Sequence, residues 1–231
     1  MPNQNWNKYI GSIWARLLSN TSLPKQGNIV EIAPGDVNKL GYALSSCKFQ
    51  GNLYVVEPNA RALASIIRQY REALLKARVI PVHHTLREAV DYLPVKPVII
   101  SNHPLDDMII GKSLGRGSDD FFSDHYDAPP EKTRVSWQEL KAVPGELENA
   151  KLSVIGDWMN LFKKVKPRLV VISQYESYFF KNNNIREPDK HGFEVLQKIR
   201  KNCADKEIQI TDSINEIKDL SRWLALMDLE G

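Results

Sequence analysis

Asn28-Ile29-Val30-Glu31-Ile32-Ala33-Pro34-Gly35-Asp36 is a short apolar run stopped by a Pro-Gly pair. An apolar run of this length, Asn28–Ala33, predicts a strand buried in a sheet. Gly35 has no Cβ, so the chain can turn sharply there and its backbone can approach a ligand closely. Asp36 is placed to cap a helix over about 37–46.

The same unit recurs downstream. Gly51-Asn52 is a turn, Leu53–Val56 a second strand closed by Glu57-Pro58, and a helix follows with Leu63, Ile66, Ile67, Tyr70 and Leu74 on one face. Val79–Val82 reads as a third strand and Thr85–Tyr92 as a short helix. Pro97–Ser101 reads as a fourth strand, running into Asn102-His103-Pro104. After residue 150 a helix carries Ile155, Trp158, Met159, Phe162 and Val165 on one face. Leu169–Ser173 is then a fifth strand, 190–201 a helix, and 208–211 and 223–228 two final strands. Upstream, residues 3–20 form an amphipathic helix with Trp6, Tyr9, Ile10, Ile13, Trp14 and Leu17 on one side. Strands alternating with helices imply βαβ units with right-handed crossovers, hence a doubly wound, mostly parallel α/β sheet.

The 231 residues suit one domain. Residues 1–27 form an N-terminal helical cap, 28–110 and 151–231 the two halves of the sheet, and 111–150 an insertion or lid rich in Gly and Pro. A hydrophobic share of 42% excludes a mainly disordered or collagen-like chain. No apolar run reaches the ~20 residues of a membrane span, and the N-terminus lacks the basic and apolar regions of a signal peptide. Cys47 and Cys203 stand alone, which fits a reducing, cytoplasmic setting and no zinc knuckle.

Ligands of such sheets bind beyond the strand C-termini. Glu57 ends the second strand 22 residues after Gly35, where a carboxylate can accept from both hydroxyls of a ribose. On these residues the chain resembles the class I S-adenosylmethionine (SAM)-dependent methyltransferases. Their acidic, glycine-containing turn is matched by Glu31-Ile32-Ala33-Pro34-Gly35, and their ribose-binding acid by Glu57. Asn102-His103-Pro104-Leu105 loosely echoes the Asn/Asp-Pro-Pro-aromatic motif of N-methyltransferases. The chain departs from the pattern at Ala33 and Val37, where glycines are usual, and at His103 and Leu105. After the third strand, Thr85 or His84 stands where an adenine-binding acid is common.

The resemblance implies a seven-stranded sheet with helices on both faces and an antiparallel last strand. It implies SAM as cofactor and S-adenosylhomocysteine (SAH) as product. The cofactor would be held by Glu31, Ala33, Pro34, Gly35, Glu57, Pro58, Thr85 and Asn102. Asn102, His103 and Asp106 would be catalytic, with the Asn102 carbonyl on an acceptor amine and His103 as base. Asn102 and His103 could equally belong to a solvated loop. Tyr175, Tyr178, Phe179 and Phe180 would line an acceptor pocket or pack beneath the insertion.

The net charge of +3 hides an uneven distribution. Residues 101–131 hold seven acids and two bases, a local −5, and the rest of the chain carries +8. An acidic mouth favours an amine-bearing small molecule or protein side chain as acceptor and disfavours nucleic acid. The basic runs at Arg61, Arg68, Arg71, Lys76 and Arg78 and at Lys163–Arg168 keep an RNA or DNA methyltransferase open. A non-catalytic SAM-fold binding or regulatory module is a further alternative. A nicotinamide-dependent oxidoreductase ranks lower, since only Gly35 of its three expected glycines is present.

Overall fold

The computed structural model describes residues 2–21, 23–113, 130–203 and 224–229. Five strands run parallel: β1 (Asn28–Ile32), β2 (Asn52–Val56), β3 (Arg78–Val82), β4 (Val98–Asn102) and β5 (Leu169–Ser173). A sixth, β6 (Leu224–Asp228), pairs antiparallel with β5. The order is β3-β2-β1-β4-β5-β6. Six strands are therefore present among the described residues, one fewer than expected. The stretch 208–211, read as a strand, lies outside them, as does Trp223.

Alternation along these buried strands builds two cores. Val30, Ile32, Ile99, Val170 and Ile172 face one side, packing on helices α4 (Leu86–Ala89), α5 (Leu105–Ser113), α6 (Pro130–Ala142), α7 (Glu146–Val165) and α9 (Glu187–Asn202). Ile29, Val98, Ile100, Leu169 and Val171 face the other, under α1 (Pro2–Ser19), α2 (Leu40–Ser46) and α3 (Ala60–Ala73). Both faces are thus covered, the arrangement parallel strands require. A further short helix, α8 (Tyr178–Asn182), follows β5.

Three sequence expectations change. Asp36 does not cap a helix: α2 starts at Leu40, its N-cap position is Lys39, and no side chain caps it. Within 111–150, the described residues are helical, because Gly and Pro mark helix ends there and not a loop. Pro130 opens α6, whose Trp137 and Leu140 enter the core, and Gly145 stands at the left-handed N-cap of α7. The acids Asp119, Asp120, Asp124 and Asp127 lie outside the described residues. From α1, Ile10, Ile13, Trp14, Leu17 and Leu18 are buried as its periodicity requires, but Tyr9, read as part of the same face, is 40% exposed, and the side chain of Trp6 lies outside the described part.

The seam between α2 and α3 is set by size. Tyr70 of α3 is fully buried, and its hydroxyl meets the Gly41 backbone. A Cβ at Gly41 would lie 2.6 Å from Cδ1 of Tyr70. Alanine has the better helix propensity by about 1 kcal/mol, but overpacking a rigid aromatic costs about 1–3 kcal/mol. Gly41→Ala should therefore show a net loss of stability in urea unfolding. An unchanged or raised midpoint would mean that the seam is loose.

Candidate functional site

The strand order reverses between β1 and β4, so the carboxyl ends of these neighbours diverge and leave a crevice. The turn after β1 borders it. Ala33 has φ +50° and Gly35 φ +64°, both left-handed. For alanine this conformation costs about 1 kcal/mol. The Ala33 N–H donates to the Val56 carbonyl at 2.8 Å, tying the turn to β2. No atom lies within 4 Å of where a Gly35 Cβ would stand, so that side of the turn is open.

Glu57 at the tip of β2 completes the tie. Its Oε2 accepts from the Gly35 N–H at 3.1 Å and its Oε1 from the Asn59 N–H at 3.0 Å. Asn59 in turn caps α3 by accepting from the Ala62 N–H at 2.8 Å. Burial raises the Glu57 carboxyl to about 7; the two N–H groups and His83 pull it down, and Asp36 pushes it up. Pro58 follows, its carbonyl 2.9 Å from Nε2 of His83.

Glu31 sits one register position before the end of β1, beneath the turn. It is 1% exposed, and its Oε1 accepts from the Tyr70 hydroxyl at 2.8 Å. Its Oε2 finds no hydrogen-bond partner among the described residues. Burial lifts this carboxyl to about 8 against the Tyr70 bond, and the Glu57 charge adds to the rise.

The tip of β4 carries two polar networks. Asn102 faces α1: its Oδ1 accepts from the Trp14 indole at 2.9 Å and from the Ser173 hydroxyl at 3.2 Å, and its Nδ2 donates to the Tyr175 hydroxyl at 3.2 Å. An amide oxygen has two lone pairs, and both are taken. The carbonyl expected to hold an acceptor amine is thus filled from within.

His103 has φ +60° and is gripped by two carboxylates. Its Nδ1 is 3.2 Å from Asp106 Oδ1 and its Nε2 3.5 Å from Asp189 Oδ1. Gln174, fully buried, donates to Asp106 Oδ1 at 2.8 Å and accepts from the Leu105 N–H at 3.0 Å. Burial alone would depress the imidazole, but the charge and hydrogen bond of Asp106 and the bond to Asp189 hold it well above the usual histidine range. Burial is the largest single influence on Asp106 and would raise it, but the charge and hydrogen bond of His103, the Gln174 bond and a backbone N–H together hold it below its ordinary value. A general base must be unprotonated, and the two carboxylates favour the charged, clamped form of His103 over the free base that its sequence position suggests.

The structure brings Glu31, Ala33, Pro34, Gly35, Glu57 and Pro58 to one side of the crevice and Asn102, His103 and Asp106 to its far wall. Thr85 does something else: it caps α4, its hydroxyl donating to Glu88 at 2.7 Å in a capping box. His84 is stacked on Tyr92. The side chains of Tyr178 and Phe179 lie outside the described part, while Phe180 is buried. Sequence reasoning missed Trp14 as a partner of Asn102, and also Ser173, Gln174 and Asp189. A polar Ser-Gln pair closing β5, a strand buried along its whole length, was a readable signal for Ser173 and Gln174. Asp189 had none, being 86 residues from His103 in sequence. Among the described residues, no group of His, Cys, Asp and Glu is placed to hold a metal ion.

No protein-family model matches the chain, and no curated protein matches it in sequence. Solved structures do match in shape. The small RNA methyltransferase HEN1 is similar over 96% of this chain and 26% of its own, with a TM-score of 0.51 at 10% identity. WbdD is similar over 97% of this chain and 35% of its own, with a TM-score of 0.50 at 10% identity. SMU.1697c of Streptococcus mutans, solved with SAH, covers 94% of each chain at 13% identity, with a TM-score of 0.47. The chain has the fold of the class I SAM-dependent methyltransferases.

Two titrations check the electrostatics. In the unfolded chain Glu31 ionises near 4.5, whereas in the fold it keeps its proton to about pH 8. Folding therefore takes up a proton between these values, so this group's contribution falls as pH rises from about 4.5 to about 8. The loss should be on the order of a few kcal/mol. Denaturant midpoints across this range should decline less in Glu31→Gln than in the wild type; parallel declines would clear Glu31. The His103 pair behaves differently. Its stabilisation is complete below the ordinary histidine value of 6.5 and is lost only as pH rises through the elevated folded value. The imidazole NMR shifts of His103 should still report the charged form at pH 7.5. A midpoint at or below 6.5 would contradict the clamp.

Proposed function

We propose that the protein is a SAM-dependent methyltransferase that yields SAH. The observation that carries this reading is the Glu57 carboxylate, which grips the Gly35 turn from the tip of β2 beside the crevice. Each carboxylate oxygen takes one N–H and has lone pairs to spare, so Glu57 can also accept from two ribose hydroxyls. The open side of Gly35 leaves room for a ligand against the backbone, and Glu31 keeps one carboxyl oxygen unpartnered beneath the turn. Ala33, Pro34 and Pro58 form the lips of this cradle. These residues fit SAM, which supplies an electrophilic methyl group when bound.

The chain's own residues then position the acceptor, and positioning can supply several kcal/mol of a transfer barrier. At the far wall the Asn102 carbonyl is occupied, so an ammonium group finds no acceptor there. The second amide hydrogen of Asn102 is left as a donor at this wall. It suits an acceptor that receives a hydrogen bond through a lone pair, more than the protonated amine suggested by the acidic sequence.

A non-catalytic SAM-binding module is the second reading. What favours it is that His103 and Asp106 are spent on each other. A nicotinamide dinucleotide is less suited, since β6 runs antiparallel where the dinucleotide-binding sheet is parallel throughout. Among the described residues, no helix is long and apolar enough to cross a membrane.

Calorimetric titration with SAM, SAH and NAD tests the proposal. SAM and SAH should bind and NAD should not, and Glu57→Ala should weaken SAH at least about tenfold, the value of one charge-assisted hydrogen bond. NAD binding without SAH, or full SAH affinity in Glu57→Ala, would overturn it.

A further inference from the structure

Outside the crevice, the described surface carries an open groove of about 910 Å³ along the flank of α3 and the edge strand β3. Ala60, Ala64, Arg68 and Arg71 are exposed in succession on its helical wall, at the three- and four-residue steps of a single helix face, and Leu75 is exposed in the turn just past the end of α3. Pro81 and His83 form the opposite wall. Leu75 is 87% exposed, an unusual position for leucine without a partner. Neither Arg68 nor Arg71 forms an ion pair with a described residue. The stretch 61–78 carries five basic residues and one acid, Glu72, so the groove is strongly cationic.

We infer that this groove binds the phosphate backbone of a single-stranded nucleic acid, as an anchoring site separate from the crevice. Two unpaired guanidiniums one helical turn apart are fitted to phosphates, which they can grip bidentately. The small side chains of Ala60 and Ala64 leave a floor on which a base can lie against Pro81 and the His83 ring. An extended peptide fits less well. It would have to add to the edge of β3, and that edge is interrupted by Pro81, which has no N–H to give, and begins with the charged Arg78. The groove lies on β3, three strands from β4, or roughly 14 Å across the sheet. It can therefore hold a strand without contributing to the chemistry at the tip of β4. The hydrogen bond between His83 and the Pro58 carbonyl connects its upper end to the Glu57 side of the crevice. This site does not depend on the cofactor reading.

Fluorescence anisotropy with a labelled single-stranded RNA of about 20 nucleotides, and with DNA of the same sequence, tests the inference. The wild type should bind at least one of them below about 10 µM near 50 mM salt, and the tighter polymer identifies the source. Arg68→Glu/Arg71→Glu should weaken binding at least tenfold. Lys163→Glu/Lys166→Glu, which changes net charge equally on two exposed lysines elsewhere, should weaken it less than threefold. The neutral pair Arg68→Gln/Arg71→Gln should lower the slope of log affinity against log salt by about 1.4, as for two phosphate contacts on a single strand. SAH titration and thermal unfolding should be unchanged in these variants. Equal losses in both charge-reversal pairs, no binding of either polymer, or tighter binding of an acidic Glu/Leu peptide of the same length would each overturn the assignment.

Discussion

The cleft end of this sheet hangs on one carboxylate. Glu57 reaches from the end of β2 to the Gly35 N–H and, with its other oxygen, to the Asn59 N–H. The first bond fixes the turn after β1; the second fixes the entry to α3, which Asn59 then caps. Turn, strand tip and helix start are thereby held in one geometry. The group pays for this in solvation, since burial pushes its carboxyl to about 7. A second buried acid, Glu31, stands behind it with an oxygen left unpartnered. Two acids this costly stand side by side at a topological switch point, where sheets of this kind bind their ligands, and the proposed cofactor site rests on them.

The far wall is constrained differently. There the polar groups satisfy one another: Trp14 and Ser173 fill the Asn102 carbonyl, and Asp106 and Asp189 enclose His103. The Glu57 side thus keeps lone pairs to spare, while the polar groups at the tip of β4 are largely spent on one another. This contrast gives the crevice a direction. It also makes α1 part of the site, because Trp14 carries the N-terminal helix onto the end of β4.

Much of the architecture could be read from periodicity. Short, largely apolar runs of four to six residues predicted β1 to β5 to within one residue at each end, and the helix faces of α3 and α7 and most of that of α1 followed from spacing. Asp36 misled because a capping residue is recognised by type, while the turn here runs on to Lys39 before the helix begins. Residues 130–150 misled because Pro and Gly were read as loop formers, whereas Pro130 opens a helix and Gly145 precedes one. At the site, Glu57 was legible through its spacing from Gly35. The state of His103 was not, since it depends on Asp189 and Gln174, which only the folded chain brings near. Thr85 carried a local capping signal with Glu88, legible from their three-residue spacing.

The central claim is that the Glu57–Gly35 cradle is where the cofactor sits. It is tested most directly by following backbone amide NMR signals during titration with SAH. The account predicts saturable shifts at Gly35 and Asn59, whose N–H groups both touch Glu57, and little change at Val195 in the core-facing part of α9. Saturation of shifts elsewhere with Gly35 and Asn59 unmoved, or no shifts at all, would contradict it.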